Sequence, residues 1–357
     1  MTTPISVLLT GAGGSAAANV LDALRRADTS YRIVGADVSA VRLHLSTADD
    51  HCILPRADDE AFEGALAAAL RAFDIQVLHV QPDPEVLRVG RMRDRLAVAL
   101  FLPSQAAIEL AADKAWFARR MELAGVGVPV SVDFTDRSSV VERTQELLTN
   151  HERVWIRARV GAGARASLPV RTPAQALSWI DWWVGEKGMS PDDFMGAEML
   201  PGREFAYQSL WQNGVLIAGQ ARERVEYLYG FLTPSGQTST PAVARTVSDS
   251  RIDELAQRAI RALDTTPHGV YCVDIKEAVD GEPKVTEINA GRFFTTSNFF
   301  AAAGLNMPDM AMRAALGETL TLVGSSPLEA DLYWIRMVDM GYALVPGAEL
   351  DRWPRPR

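Results

Sequence analysis

The sequence predicts an α/β protein whose first third is a doubly wound parallel sheet and whose remainder mixes antiparallel strands with helices. Three observations carry that prediction. A short β run, Ile5–Leu9, ends in the glycine turn Thr10-Gly-Ala-Gly-Gly-Ser15. Strand-like and helix-like runs then alternate as far as about residue 105, the pattern of stacked βα units. Beyond residue 130 the texture changes to paired β runs joined by Asn-Gly and Asp-Gly, which mark hairpins.

The elements follow in order. An Ala-rich helix, Ala16–Ala27, leaves the glycine turn. Arg32–Asp37 is a second strand that closes on an acid, Glu60–Phe73 a helix, Val77–Gln81 a third strand and Leu96–Leu102 a fourth. Ile108–Gly125 reads as helix, with Gly125 and Pro129 as stop signals. Val154–Arg159 is a strand that runs into a flexible stretch, Gly161-Ala-Gly163-Ala164. Ala174–Lys187 is an amphipathic helix, and helical spacing makes its Trp179, Trp182 and Trp183 core or interface residues. Phe194–Leu200 and Glu204–Trp211 are strands, and Asn213-Gly214 turns the chain into Val215–Gln220. Tyr227–Thr240 is polar and reads as a mobile loop, and Arg251–Leu263 as a helix. Val270–Ala278 and Lys284–Ala290 are strands about Asp280-Gly281, preceded by a His268 of structural character.

Composition narrows the function. A chain of 357 residues, 48% hydrophobic and 23% charged, suits two or three domains with ordinary cores. The net charge of −9 argues against a nucleic-acid footprint. The longest apolar run, about Leu96–Leu102, falls far short of the ~20 residues a membrane helix needs. The N-terminus lacks the charged and apolar regions of a signal peptide. Cys52 and Cys272 make neither a disulfide framework nor a zinc spacing. The expectation is a soluble, cytoplasmic protein with reduced thiols, no nucleic-acid partner and no membrane. Lysine is scarce, with only Lys114, Lys187, Lys276 and Lys284. A lysine at a motif position is therefore informative.

The most informative segment runs from Val270 to Asn289. With a two-residue turn at Asp280-Gly281, Val279 faces Glu282, Asp274 stands opposite Glu287, and Asn289 opposite Cys272. Lys276 projects from the same face, and Val273, Ile275 and Ile288 from the other, which suits a core. Opposed carboxylates have Cβ atoms only ~4.5–5.5 Å apart and repel. A hard cation with oxygen ligands answers that repulsion, and Asp, Glu and Asn oxygens suit Mg²⁺ bound together with substrate phosphates. The alternative is a solvated strand face carrying incidental acids.

This segment resembles the ATP-grasp superfamily, in which an acid on one strand and Glu-x-Asn on the next hold two magnesium ions. Asp274 and Glu287-Ile-Asn289 fit that pattern, and Arg292, in Asn-Ala-Gly-Arg-Phe-Phe, resembles the arginine that follows it beside the acyl phosphate. Four further segments fit in order. Asp113-Lys114 opens a helix like the family's Asp-Lys pair, whose lysine contacts nucleotide phosphates. Arg157 takes the place of the second phosphate-binding Lys or Arg, and Gly161 and Gly163 that of the phosphate-covering loop. Glu198-Met199-Leu200-Pro-Gly-Arg-Glu204 looks like the hinge whose backbone reads adenine and whose second Glu takes ribose hydroxyls. The departures are Arg at 157, an alanine-rich loop carrying Arg165, and Ala290-Gly291 where the family has proline.

The resemblance implies a Rossmann-like pre-ATP-grasp domain over residues 1–105 and a linker helix with the small ATP-grasp lobe over 106–200. A large lobe with the metal hairpin follows over 201–325, and a C-terminal strand and tail over 326–357. It implies an ATP-dependent carboxylate–amine ligase of the C–N bond-forming class, with ATP and two Mg²⁺ ions, Mn²⁺ being able to substitute. The partners would be a small carboxylate and an amine, and dimers are common in the family, which leaves a homodimer open. Two alternatives stand beside it. Gly11-x-Gly13-x-x-Ala16 with Asp37 beyond the next strand is a dinucleotide-binding fingerprint, which alone would suggest an NAD(P) oxidoreductase. Ammonia or a thiol could replace the amine. Gly13, Gly14 and Lys276 are candidate substrate contacts, and Arg222 and Arg224 candidate catalytic residues that would hold a carboxylate or phosphate.

Overall fold

The structure is a computed structural model that describes residues 3–161, 166–238, 240–338 and 341–349. Strand β1 (Ile5–Thr10), helix α1 (Ser15–Arg25), β2 (Tyr31–Asp37), α2 (Ala40–Leu43), β3 (Asp50–Ile53), α3 (Phe62–Ala72), β4 (Val77–His79) and α4 (Asp83–Met92) make the first unit. Its sheet is parallel, in the order β3-β2-β1-β4. Val7, Leu9 and Ile33 bury one face, and Leu8, Val34 and Leu78 the other, as expected of strands covered on both sides. The expected strand at Leu96–Leu102 is absent: only a single bridge, Val77 to Ala99, survives there. The apolar run packs as an irregular segment instead, and the sheet's outer strand is β3, whose alternating burial hid it in a polar sequence.

Helices α5 (Gln105–Ala112) and α6 (Lys114–Leu123) replace the single helix expected over Ile108–Gly125. The break falls at Asp113. Its carboxylate accepts the amides of Ala115 and Trp116, an N-cap that starts a new helix with Lys114 at its first position. A small antiparallel sheet follows, built from β5 (Ser131–Asp133), β6 (Val154–Ala158), β7 (Leu168–Val170) and β8 (Phe194–Glu198) in the order β5-β8-β6-β7. Helices α7 (Arg137–Leu148) and α8 (Pro173–Lys187) pack on it over Val140, Leu147, Ile156, Ala176, Ile180 and Phe194. Trp179 and Trp183 of α8 pack against this core as expected, but Trp182 is 48% exposed and only stacks on Trp179 and meets Trp183 edge-on.

The main sheet contains β9 (Glu204–Gln212), β10 (Val215–Tyr227), β11 (Pro241–Val247), β12 (Gly269–Glu277), β13 (Pro283–Ala290), β14 (Gly324–Ser325), β15 (Leu332–Met337) and β16 (Gly341–Pro346). Its order is β13-β12-β9-β10-β11-β15-β16, with β14 beside β10. Helix α9 (Ser250–Leu263) covers one face through Ile252, Leu255, Ala259 and Ile260. Near the other face lie α10 (Ser297–Ala302) and α11 (Met307–Ala315), which also touch α1 and so join the main sheet to the first unit. The C-terminal region contributes two further strands, β15 and β16, where one was expected. No helix among the described residues is long and apolar enough to cross a membrane.

Candidate active site

The hairpin β12–β13 delivers the expected pairing by an unexpected route. Asp274 pairs with Glu287, and Cys272 with Asn289. The turn, however, is not two residues long. Ala278 and Glu282 bracket a three-residue loop, so Glu277 pairs with Pro283 and Ile275 with Val285. A β-bulge at Thr286 then restores the register before the acids are reached. The bulge has a packing reason: it lets Val285 and Ile288, an odd number of residues apart, both face the α9 core.

Around the pair, every expected cation is present, each on a different element. Lys114 Nζ lies 3.5 Å from Glu287 Oε2 and donates to the Gly161 carbonyl at 2.7 Å. Arg157 on β6 donates to the carbonyl of Thr286, at the bulge. Arg224 on β10 donates to Asp274 and to Glu204 Oε1, the latter at 2.8 Å. Asn289 Nδ2 bonds Asp274 Oδ2 at 3.3 Å, and Arg292 donates to Asn289 Oδ1 at 2.6 Å. Arg292 also forks onto Asp83, at the start of α4 in the first unit. Gly291 makes that reach possible. Its φ is +96°, and a Cβ there would sit 2.8 Å from Val86 Cγ1.

These surroundings split the two acids. Burial and the charge of Glu287 push the Asp274 carboxyl up, and Arg224 does not fully offset them. Glu287 is more exposed, 27% against 11% for the Asp274 side chain, and Lys114, Arg157 and Arg292 hold it well below the usual carboxylate range. The donor set fits a hard divalent cation: two opposed carboxylates and an amide oxygen, all short of a full shell. Among the described residues no cluster of three or more His, Cys, Asp or Glu could hold a metal alone. The set therefore suits an ion that arrives with phosphate oxygens.

The segment 198–204 joins the two antiparallel sheets. Glu198 ends β8 of the small sheet and Glu204 begins β9 of the main sheet, with Met199 and Leu200 between. Glu198 accepts Lys284 and the amide of Val130, and His151 lies 3.6 Å away. Glu204 is already crowded: Arg224, Tyr227, Gln237 and Lys276 all bond or pair with it. Two expectations change here. Arg224 serves protein carboxylates, not an open anion site, and Tyr227–Thr240 is not simply a loose loop, since Tyr227 and Gln237 pin its ends to Glu204. Gly163 lies outside the described residues.

The N-terminal glycine turn is closed. The Gly13 amide donates to Asp37 Oδ2 at 3.0 Å, and the Gly14 amide to the Gly11 carbonyl. A Cβ on Gly13 would lie 2.5 Å from Arg42 Cβ, so α2 sits on the turn. A dinucleotide fingerprint needs that amide for pyrophosphate and that acid for ribose; here each satisfies the other, and the NAD(P) reading is not favoured. His268 contacts Asn213 and Phe101, a structural role.

Sequence reasoning missed Asp83, Trp334 and Arg336. Strand pairing sets Trp334 opposite Ala244, level with Arg224 but two strands away from it. Arg336 lies over the Trp334 ring at 4.6 Å. Nothing local marks these residues; only the long-range pairing of β15 with β11 brings them to this face.

No family model matches the chain, and no curated protein matches it. Solved structures do. An L-amino acid ligase from Bacillus licheniformis is 12% identical, with a TM-score of 0.69 over 94% of this chain and 79% of that one. The biotin carboxylase domain of the 2-oxoglutarate carboxylase from Hydrogenobacter thermophilus, solved with MgADP and bicarbonate, is 15% identical, with a TM-score of 0.71 over 93% and 74%. The N5-carboxyaminoimidazole synthetase from Staphylococcus aureus, complexed with ADP, is 13% identical, with a TM-score of 0.65 over 94% and 82%. At such identities the likeness concerns the fold: a parallel sheet, a small antiparallel sheet and a larger one. The chain carries the ATP-grasp fold.

Proposed function

We propose that this protein is an ATP- and Mg²⁺-dependent carboxylate–amine ligase that works through an acyl phosphate. The observation that carries the reading is the Asp274–Glu287 pair, opposed on one sheet face with Asn289 and ringed by Lys114, Arg157 and Arg292. Opposed buried acids are costly without a cation, and surrounding cations are wasted on two acids unless phosphate also comes. The neighbouring structures named for ligases, and those holding ADP, support the same reading.

Asp274, Glu287 and Asn289 would hold magnesium, two ions or one, with Mn²⁺ as a substitute. The ion would supply positive charge to the β- and γ-phosphates. Lys114 stands at the first position of α6, and its ammonium reaches across to Glu287 and the Gly161 carbonyl. It and Arg157 neutralise phosphate oxygens, and the Gly161 region covers them. Adenine lies against the backbone after Glu198, and ribose exchanges for Tyr227 and Gln237 at Glu204. An oxygen of the substrate carboxylate attacks the γ-phosphorus, and the bond to ADP breaks. Arg292, its fork held by Asp83 and Asn289, sets a fixed positive charge beside the metal ligands, where charge would grow on the transferred group. The amine then attacks the acyl carbon, loses a proton and expels phosphate. The test is ADP release from pooled carboxylic acids against pooled amines, with mass detection of the amide.

A further inference from the structure

Arg222 takes no part in the reaction above. It lies on β10, only 1% exposed, and all three of its guanidinium nitrogens are buried without a hydrogen-bond partner. Its neighbours explain how unusual this is. The Phe294 ring lies 5.1 Å from the guanidinium carbon, and the strand partners of Arg222 are Ala206 and Thr246. Burial lowers its proton affinity, the adjacent Arg224 lowers it further, and the nearest acid acting on it is Asp274. Lys114 is paired with Glu287, Arg224 with Glu204 and Asp274, Lys276 with Glu204 and Arg292 with Asp83, while Arg157 donates to the Thr286 carbonyl. Once Asp274 holds a metal, even its distant support for Arg222 is spent. A buried, unpaired guanidinium is strongly destabilising, so its retention points to a ligand.

Position identifies the ligand's chemistry. Asp274 and Arg222 pair with the same residue, Ala206, from its two sides. Arg222 is thus level with the metal acids and two strand spacings, ~10 Å, from Asp274. Lys114 and Arg157 serve the opposite edge, at Glu287 and Thr286. The nucleotide phosphates belong to that edge, and the group at Arg222 belongs to the substrate. Resting on the ligase reading, we infer that Arg222 determines specificity by anchoring a carboxylate of the substrate that is not the one phosphorylated. Such a carboxylate comes from a dicarboxylic donor or from an amino-acid acceptor. The planar fork matches it.

The test uses the full chain, the non-hydrolysable ATP analogue AMP-PNP with Mg²⁺, and the variant Arg222→Met. Titration calorimetry with succinate and glutarate probes the donor source. L-alanine and L-glutamine probe the acceptor source, with acetate and methylamine as controls. Wild type should bind one class of probe and neither control. Arg222→Met should lose at least about tenfold in affinity for that class, the share of a charged hydrogen bond, while binding Mg–AMP-PNP as before. Without ligands it should melt no lower than wild type, because methionine removes an unpaired buried charge. A lower melting temperature, equal probe binding by the variant, or no probe binding by wild type would overturn the anchor. Loss of Mg–AMP-PNP binding by wild type itself would instead overturn the ligase reading beneath it.

Discussion

Asp274 and Glu287 are paired residues on adjacent antiparallel strands, yet their carboxyls are driven apart in acidity. Asp274 is pushed up by burial and by its neighbour's charge, and Glu287 is held down by Lys114, Arg157 and Arg292. Asp274 is thus the weaker acid of the pair, and Glu287 the one its cationic neighbours hold charged.

Asp274→Asn should keep the fold and lose the activity. The structure already disfavours charge at this position, so a neutral isostere removes repulsion at little cost to Arg224 and Asn289. Its melting temperature should match or exceed that of metal-free wild type, while Mg-dependent ADP release falls by about 10²-fold or more, as when a charge-organising group is lost. Near-normal turnover would show that the pair does not hold the metal.

Arg292→Lys separates catalysis from decoration. Lysine keeps the charge but loses the fork that spans Asp83 and Asn289. The kcat should fall at least tenfold, about 1.4 kcal/mol, with the affinity for ATP nearly unchanged. Asp83→Asn should produce a smaller fall of the same kind, because Asp83 only orients the arginine. A kcat within about threefold of wild type for Arg292→Lys would make it a surface ion pair of little consequence.

The sequence made much of this legible, and the exceptions have physical causes. The hairpin face, the Asp113 cap and the two-carboxylate hinge are local patterns, and local patterns survive into the fold. The turn at Asp280-Gly281 did not: the bulge at Thr286 compensates a three-residue loop, and alternating hydrophobicity cannot distinguish that from a two-residue turn with no bulge. The false strand at Leu96–Leu102 arose because an apolar run needs burial, not a ladder. Asp83, Trp334 and Arg336 stayed invisible because contacts across hundreds of residues place them.

Glu85 provides a pH test away from the metal hairpin. It is 6% exposed on α4, and burial pushes its carboxyl up to about 7, helped slightly by Asp37 and opposed by Thr10. A folded-state pKa above the unfolded value gives stability that is present below the ordinary glutamate range, ~4.3, and lost as pH rises through about 7. Glu85→Gln removes the ionisation. Its stability relative to wild type should therefore improve by ~1–3 kcal/mol from pH 5 to pH 8 in denaturant melts. A constant difference across that window would show that Glu85 is not buried as a neutral acid.

Ligand choice separates the two nucleotide-binding readings. With the Gly13 amide and Asp37 satisfied by each other, NADH and NADPH should leave the melting temperature unchanged, whereas Mg-ATP should raise it. A shift with NADH alone would reopen the N-terminal turn as a dinucleotide site.

The most direct test of the central claim is the identity of the nucleotide product. With a carboxylate and amine that support turnover, the reaction mixture is resolved for ADP, AMP, phosphate and pyrophosphate. Phosphoryl transfer to a carboxylate predicts ADP and phosphate in equal amounts with the amide, and none from Glu287→Gln. Stoichiometric AMP and pyrophosphate would mean adenylation at the α-phosphorus and would contradict the account.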